Sequence, residues 1–305
     1  MKNALDPVVA RISQVILGKE TPIRLALACL VARGHLLIED LPGVGKTTLA
    51  HAIARSLGLT YQRIQFTSDL LPADILGVSV YDRDSGGFAF HPGPIFSQLI
   101  LADEVNRATP KAQSALLEAM EEHQVTLEGE TRPLPEPFFV IATQNPSHQI
   151  GTFPLPESQL DRFLMRISLG YPDQEAERAL YRGEDRRDLL ATLPASMAPE
   201  ALVEVQRAVP RVQVSEALVD YLQALVAHTR TSGLYTAGLS PRAGLALLRG
   251  AQAWALMAGR DHVLPEDIQA VLASVVGHRL HPADDAVPAD PERLAEELRA
   301  RVPVP

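Results

Sequence analysis

The sequence predicts an α/β domain with a mostly parallel sheet over residues 1–170, followed by a smaller all-α domain over residues 171–305. Before Gly170, short apolar runs typical of buried strands alternate with helical patterns, which favours a parallel sheet with helices on both faces. After Gly170 only helical patterns follow. Apolar residues make up 46% of the chain and charged residues 21%, ordinary values that exclude a disordered or fibrous protein.

The apolar pattern places the elements in order. Five runs are predicted as strands of the sheet, at 35–39, 61–66, 99–103, 138–143 and 163–169. Helical spacing predicts helices beside them at 8–17, 21–32, 46–58 and 110–123. Segments 75–90 and 124–134 each have β-prone runs around a glycine-containing turn, and are predicted as two β-hairpin inserts. The second domain is predicted to contain helices at 173–186, 199–209, 215–231, 241–258, 265–276 and 291–301.

Residues 41–48, LPGVGKTT, carry the sharpest chemical signal, that of a loop that binds phosphate. Such a loop needs glycines because backbone N–H groups must approach the phosphate oxygens closely. It also needs a lysine for the β- and γ-phosphates and a hydroxyl for Mg²⁺, which Lys46 and Thr47 supply. The residues predicted to bind the nucleotide are Pro42, Gly43, Val44, Gly45, Lys46, Thr47 and Thr48. The generic pattern has a glycine five positions before Gly45, where this chain has Asp40.

An acidic pair follows the predicted strand at 99–103. Asp103 is expected at the carboxyl edge of the sheet, beside the phosphate loop, where it suits a Mg²⁺ ligand together with Thr47. Glu104 then suits the polarisation of an attacking water. The alternative is a solvated strand end, since acidic pairs are common on protein surfaces. Together with the phosphate loop, the pair indicates a nucleoside-triphosphate hydrolase.

Three further polar residues extend this hypothesis, each with a structural alternative. Asn145, at the tip of the run 138–145, could orient water between Glu104 and the γ-phosphate, or occupy a turn before Pro146. Arg162 could stabilise charge on the transferred phosphoryl group of a neighbouring subunit, or form a surface ion pair. Arg242 opens a predicted helix of the second domain and could reach the phosphates.

The order of five segments resembles the MoxR family of AAA+ ATPases: LPGVGKTT, LILADEVNRATPKAQSALLEAMEE, FFVIATQNP, LPESQLDRF and GLSPRAGLALLRGAQAWA. The resemblance implies a Walker A motif at 43–48, a Walker B motif at Asp103–Glu104, sensor 1 at Asn145, an arginine finger at Arg162 and sensor 2 at Arg242. It also implies ATP and Mg²⁺ as ligands, and a helical lid as the second domain. The hairpin at 75–90 would be the helix-2 insert of this branch. The expected assembly is a homo-oligomer, a hexameric ring, working with a von Willebrand factor A domain protein on an unknown protein client.

Charge and composition bear on the alternative functions and on the location of the protein. The chain has a formal charge of -9 and both predicted domains are acidic, so a nucleic-acid-acting motor is the alternative that charge disfavours. A chelatase-type motor subunit would share the same ATP site and differ only in its partner and client. We expect a cytoplasmic protein without a membrane span, because no long uncharged apolar run is present and the chain has one cysteine.

Overall fold

The computed structural model describes residues 5–84, 86–145, 152–183, 185–284 and 290–304. Its first part alternates helices and strands: α1 (Asp6–Val15), α2 (Glu20–Val31), β1 (Leu36–Glu39), α3 (Lys46–Ser56), β2 (Tyr61–Gln65), α4 (Pro72–Leu76), β3 (Gly77–Asp82), β4 (Gly87–Pro92), β5 (Leu99–Asp103), α5 (Pro110–Glu122), β6 (Gln124–Leu127), β7 (Glu130–Pro133), β8 (Phe139–Gln144), α6 (Glu157–Leu160) and β9 (Met165–Ile167). Helices then follow: α7 (Gln174–Arg182), α8 (Arg186–Thr192), α9 (Pro199–Ala208), α10 (Glu216–Thr231), α11 (Pro241–Met257), α12 (Pro265–Val276) and α13 (Pro291–Arg301).

The central sheet has the strand order β2-β5-β8-β1-β9, and all four neighbouring pairs are parallel. The predicted parallel sheet is therefore confirmed. Because the strands run in one direction, the residues that follow β1, β5 and β8 meet at one edge of the sheet. This edge, the carboxyl edge, is where open α/β sheets bind ligands.

Helices cover both faces of the sheet, and the alternation along each strand explains why. Leu36 and Ile38 of β1 pack into one apolar cluster with α1, α2 and α3, whereas Leu37 between them packs into a second cluster with α5. Successive side chains of a strand point to opposite faces, so an uninterrupted apolar run such as LLI needs cover on each side. The first cluster continues into α10, α11 and α12, so the helical part shares its core with the sheet domain.

Two antiparallel hairpins stand apart from the sheet, as predicted. In the first, β3 pairs with β4 from Gly77 opposite Pro92 to Asp82 opposite Gly87. In the second, β6 pairs with β7 from Gln124 opposite Pro133 to Leu127 opposite Glu130. Ser85, in the turn predicted for the first hairpin, lies outside the described residues.

The helical part follows its predicted pattern with one correction. The single helix predicted at 173–186 is wrong: α7 ends at Arg182, and α8 begins at Arg186. Gly183 follows α7 in an extended conformation, since glycine has low helix propensity. The domain boundary at residue 170 stays a prediction. Within the described ranges, no helix is both long and apolar enough to cross a membrane.

Candidate active site at the carboxyl edge of the sheet

The phosphate loop connects β1 to the amino end of α3. Gly43 and Gly45 have φ of +83° and +99°, a left-handed region that side chains with a Cβ adopt only with strain. Space is not the constraint, because a Cβ on Gly43 would meet nothing within 4 Å and one on Gly45 would lie 3.8 Å from Ile16. The loop therefore needs glycine for its backbone conformation. No side chain caps α3, so the first-turn N–H groups of this 11-residue helix point toward the loop.

Lys46 lies buried at the start of α3, with 8% of its surface exposed. Its ammonium donates to the carbonyl oxygen of Asp40 at 2.6 Å, to that of Leu41 at 3.3 Å and to Oδ1 of Asn145 at 3.2 Å. Burial lowers the pKa of Lys46, against the opposing effect of the nearby carboxylates. The three contacts use all three donors of the ammonium group.

Asp103 ends β5 and is buried. Its Oδ1 accepts a hydrogen bond from the hydroxyl of Thr143 at 2.6 Å, and its Oδ2 accepts from Nε of Arg63 at 3.0 Å and from a second nitrogen of the same guanidinium. Arg63 is on β2, next to β5, where Gln65 pairs with Asp103 in register. The carboxylate is thus fixed in position by groups from both neighbouring strands.

Glu104 follows directly, with φ of +57° and ψ of +48°. A non-glycine residue in this region is held there by its surroundings: its N–H donates to the hydroxyl of Thr143 at 2.9 Å. Its carboxylate accepts from Nδ2 of Asn145 at 3.2 Å, from Gln65 at 3.0 Å and from Arg107 at 2.9 Å. Asn145 therefore bridges Lys46 and Glu104, the predicted phosphate-binding cation and the predicted base.

The structure brings most of the predicted residues into one cleft of about 290 Å³. Its lining residues are Pro42, Gly43, Gly45, Lys46, Thr47, Thr48, Asp103, Glu104 and Asn145. Val44 does not line the cleft and instead packs against the first apolar cluster.

The arrangement fits a nucleoside triphosphate with Mg²⁺. The glycines and the uncapped helix suit the phosphates, and the hydroxyl of Thr47 with the carboxylate of Asp103 supplies the hard oxygen ligands that Mg²⁺ prefers. A bound Mg²⁺ would neutralise phosphate charge.

Arg162 and Arg242 do not line this cleft. Arg162 donates to the carbonyl oxygen of Leu117 at 2.8 Å and pairs with Glu121 at 3.2 Å. Arg242 pairs with the other oxygen of Glu121 at 2.6 Å and lies 3.9 Å from Asp161. One carboxylate, at the carboxyl end of α5, thus holds both arginines together.

These arginines lie at the opposite edge of the sheet. They line a separate cleft of about 400 Å³ with Gly34 and His35, which precede β1, and Leu164, which precedes β9. The phosphate loop follows β1, and the four residues of this strand span about 13 Å. Neither arginine is therefore positioned to reach the phosphate loop of its own chain.

The sequence did not predict a role for four residues of this arrangement: Arg63, Gln65, Thr143 and Glu121. Thr143 is the last residue of the strand predicted at 138–143, two positions before Asn145, so a polar residue at a strand end was the available signal. Arg63 and Gln65 acquire their role only through the pairing of β2 with β5. Glu121 stands in the sequence beside Glu118 and Glu122, an acidic run that by itself indicates a solvated helix face.

Comparison with known proteins agrees with this geometry. Residues 35–165 match the family described as "ATPase family associated with various cellular activities (AAA)", and residues 227–299 match the AAA lid domain. The chain is 44% identical to protein YeaC of Bacillus subtilis, over 99% of this chain and 95% of that one. It is 38% identical to Chaperone MoxR1 of Mycobacterium tuberculosis, over 98% and 80%. The crystal structure of a candidate ATPase from Cytophaga hutchinsonii superposes with a TM-score of 0.90 at 37% identity, covering 99% of this chain and 95% of that one.

The fold and these matches define the class: an AAA-type ATPase with a nucleotide-binding sheet domain and a helical lid. Within that class, the chain belongs to the MoxR family of AAA+ ATPases. The resemblance read from the sequence motifs is thereby confirmed.

Proposed function

We propose that this protein hydrolyses ATP at the interface between neighbouring copies in a ring and uses the reaction to remodel a protein client. Membership in the AAA class supports ATP hydrolysis and ring assembly, and the relative named Chaperone MoxR1 supports a chaperone-like role. The observation that carries the proposal is the separation of two clefts. The phosphate loop lies at one edge of the sheet, and Arg162 and Arg242 lie at the other.

The cleft at the carboxyl edge would hold ATP by its phosphates. Lys46 and the N–H groups at the start of α3 would bind the β- and γ-phosphates, and Thr47 and Asp103 would hold Mg²⁺. Glu104, aligned by Asn145, would polarise a water molecule whose oxygen attacks the γ-phosphorus. The bond between this phosphorus and the β–γ bridging oxygen would break with its electron pair on ADP, and the proton lost by the attacking water would pass to the carboxylate of Glu104 and from there to the phosphate product.

The cation that stabilises the developing charge would come from the next chain. Arg162 and Arg242 are both held by Glu121, so the sheet domain and the lid would offer them as one unit. A head-to-tail contact that closes into a ring brings opposite edges of two identical chains together. We therefore propose that the arginine finger and sensor 2 both act on a neighbour's nucleotide.

The first hairpin is the proposed contact with the client. It projects side chains that a monomeric protein normally covers, with Phe88 76% exposed and Tyr81 55% exposed. Their rings are in edge-to-face contact with centroids 5.5 Å apart. The guanidinium of Arg132, in the second hairpin, lies 4.0 Å above the ring of Phe90, in the first. The two hairpins would therefore move together.

The ring size, the von Willebrand factor A domain partner and the cytoplasmic location are finer parts of the proposal, supported by the family resemblance. A Glu104→Gln variant that binds ATP without splitting it should trap the client and partner in a pull-down from native extract. The same variant with Phe88→Ser should lose the client while keeping the ring, because the substitution lies outside both clefts.

Mixed rings test the proposal directly. Lys46→Ala removes the phosphate-binding cation and keeps both arginines, whereas Arg162→Ala keeps the phosphate loop and removes the finger. Each variant alone should be inactive. In an equal mixture, an Arg162→Ala site beside a Lys46→Ala neighbour is complete again, so about a quarter of the sites should recover. A mixture no more active than its components would show that the arginines act within their own chain.

A further inference from the structure

Asp40 occupies the position where the generic phosphate loop has glycine, and the structure gives its side chain specific contacts. The residue is 7% exposed. Its Oδ2 accepts three hydrogen bonds: from the hydroxyl of Ser168 at 3.0 Å, from the N–H of Leu169 at 2.6 Å and from the N–H of Gly170 at 2.7 Å. Its Oδ1 accepts from the N–H of Leu41 at 2.7 Å. One carboxylate thus joins the phosphate loop to the segment 168–170.

That segment is where the chain leaves the sheet. It begins directly after β9, it precedes α7, and Gly170 has φ of +62°. The ammonium of Lys19 donates to the carbonyl oxygen of Tyr171 at 2.6 Å, which fixes the next residue to the start of α2. Residues 168–170 therefore form the first half of the connection between β9 and α7, and this half is defined here as the linker.

The backbone of Asp40 also makes two hydrogen bonds. Its carbonyl oxygen accepts from Lys46 at 2.6 Å, and its N–H donates to the carbonyl oxygen of Gln144, at the end of β8, at 3.3 Å. Burial opposes ionisation of the carboxyl, but hydrogen bonds from Gly170, Leu41, Ser168 and Leu169 outweigh it and lower the pKa of Asp40. The side chain is therefore an anion that accepts three hydrogen bonds from the linker and one from Leu41 of the phosphate loop.

The ammonium group of Lys46 connects Asp40 to the phosphate-binding site. All three of its donors are used within the protein, on Asp40, Leu41 and Asn145. A phosphate that binds Lys46 must take over at least one of these donors, and two of them hold the backbone at residues 40 and 41. A phosphate that takes over either of these two donors releases the backbone at Asp40 or Leu41, beside the carboxylate that holds the linker.

We infer that Asp40 is a positioning residue that couples the arrival of a triphosphate at Lys46 to the orientation of the lid. This inference rests on the proposed function and deepens it: the same loop that binds ATP sets the placement of the helical part. Asp40 touches no reacting atom and acts through Lys46 and the linker.

The test separates coupling from nucleotide binding. Asp40→Gly restores the generic loop and removes all four hydrogen bonds to the carboxylate. Ser168→Ala removes one of them from the linker side and leaves the loop intact. Asp40→Asn keeps one oxygen that can accept from the linker. For each variant, the affinity for a fluorescent ADP analogue, kcat and KM for ATP, and the core–lid distance with and without ATPγS would be measured.

Spin labels on the exposed surfaces of α5 and α10 report that distance, through Glu118→Cys and Glu216→Cys. Cys29 is buried and reacts slowly by comparison. In the parent protein, ATPγS should shift the distance distribution. Asp40→Gly should keep its nucleotide affinity, lose the shift and lower kcat by about tenfold to a hundredfold with little change in KM. Asp40→Asn and Ser168→Ala should lie between.

Two results would overturn the inference. One is an Asp40→Gly variant whose distance shift and kcat match those of the parent. The other is a variant that loses nucleotide affinity yet shows the full shift at saturating ATPγS, since Asp40 would then only shape the loop. The distance shift needs binding but no hydrolysis, so it stays measurable if the proposed interface between copies is wrong.

Discussion

Replacing Arg162 with alanine separates the stability of the fold from the chemistry of the site. The guanidinium is 31% exposed, makes one hydrogen bond to the carbonyl oxygen of Leu117 and pairs with Glu121. Loss of a charged hydrogen bond costs about 1.5–3 kcal/mol, and a half-exposed ion pair adds about 0.2–1 kcal/mol. The substitution should therefore destabilise the protein by about 2–4 kcal/mol and lower its unfolding temperature by several degrees.

The expected effect on turnover is much larger. An arginine that stabilises the transferred phosphoryl group contributes about 10³–10⁵-fold to kcat. Arg162→Ala should lose activity on that scale while it binds ATP with near-parental affinity, because Arg162 lies outside the cleft of its own phosphate loop. Steady-state ATPase assays, nucleotide titration and thermal unfolding measure the three quantities.

Arg24→Ala is the matched control. Arg24 is also 31% exposed, pairs with Glu20 at 2.9 Å and Asp6 at 3.6 Å, and lines neither cleft. Because its partners are exposed carboxylates, Arg24→Ala should cost no more than about 1 kcal/mol of stability and leave kcat unchanged. The reasoning fails if Arg162→Ala keeps kcat within a few-fold of the parent, or if Arg24→Ala loses as much activity.

Three other substitutions test separate parts of the site. Glu104→Gln should keep ATP binding and lower kcat by about 10²–10⁴-fold, as loss of a general base does; unchanged turnover would remove Glu104 from that role. Arg63→Gln frees an oxygen of Asp103 and removes a nearby positive charge, so the Mg²⁺ concentration that gives half-maximal ATPase activity should fall by up to about fivefold. An unchanged or higher concentration would contradict this. Burial lowers the pKa of His35 from 6.5 to about 4. Between pH 6.5 and about 4, the unfolded chain therefore binds a proton at His35 that the folded chain does not bind. The free energy of unfolding falls as the pH drops through this range. The contribution is about 3 kcal/mol, and His35→Gln should flatten the corresponding part of a denaturant-unfolding series across pH.

The sequence was sufficient for features that depend on neighbours along the chain. The strand at Leu99–Asp103, the helices at Pro265–Val276 and Pro291–Arg301 and both hairpins follow from periodicity and turn residues, and the structure has them. Short helices such as Pro72–Leu76 escaped because one turn offers no periodicity to detect.

Pairings across the fold could not be read in the same way. The role of Arg63 depends on which strand lies beside β5, and that of Glu121 on where the lid places Arg242. Asp40 differed from the generic loop, but only the folded chain places its carboxylate against residues 168–170. A deviation from a motif indicates where to look, and the contacts that explain it come from distant parts of the chain.

Activity as a function of assembly tests the central claim most directly. ATPase activity per chain should be measured over a protein dilution series, with sedimentation velocity giving the fraction assembled at each concentration. If a neighbour completes each site, activity per chain should follow the assembled fraction and approach zero in the monomer. A monomer that hydrolyses ATP as fast as the assembled particle would contradict the account.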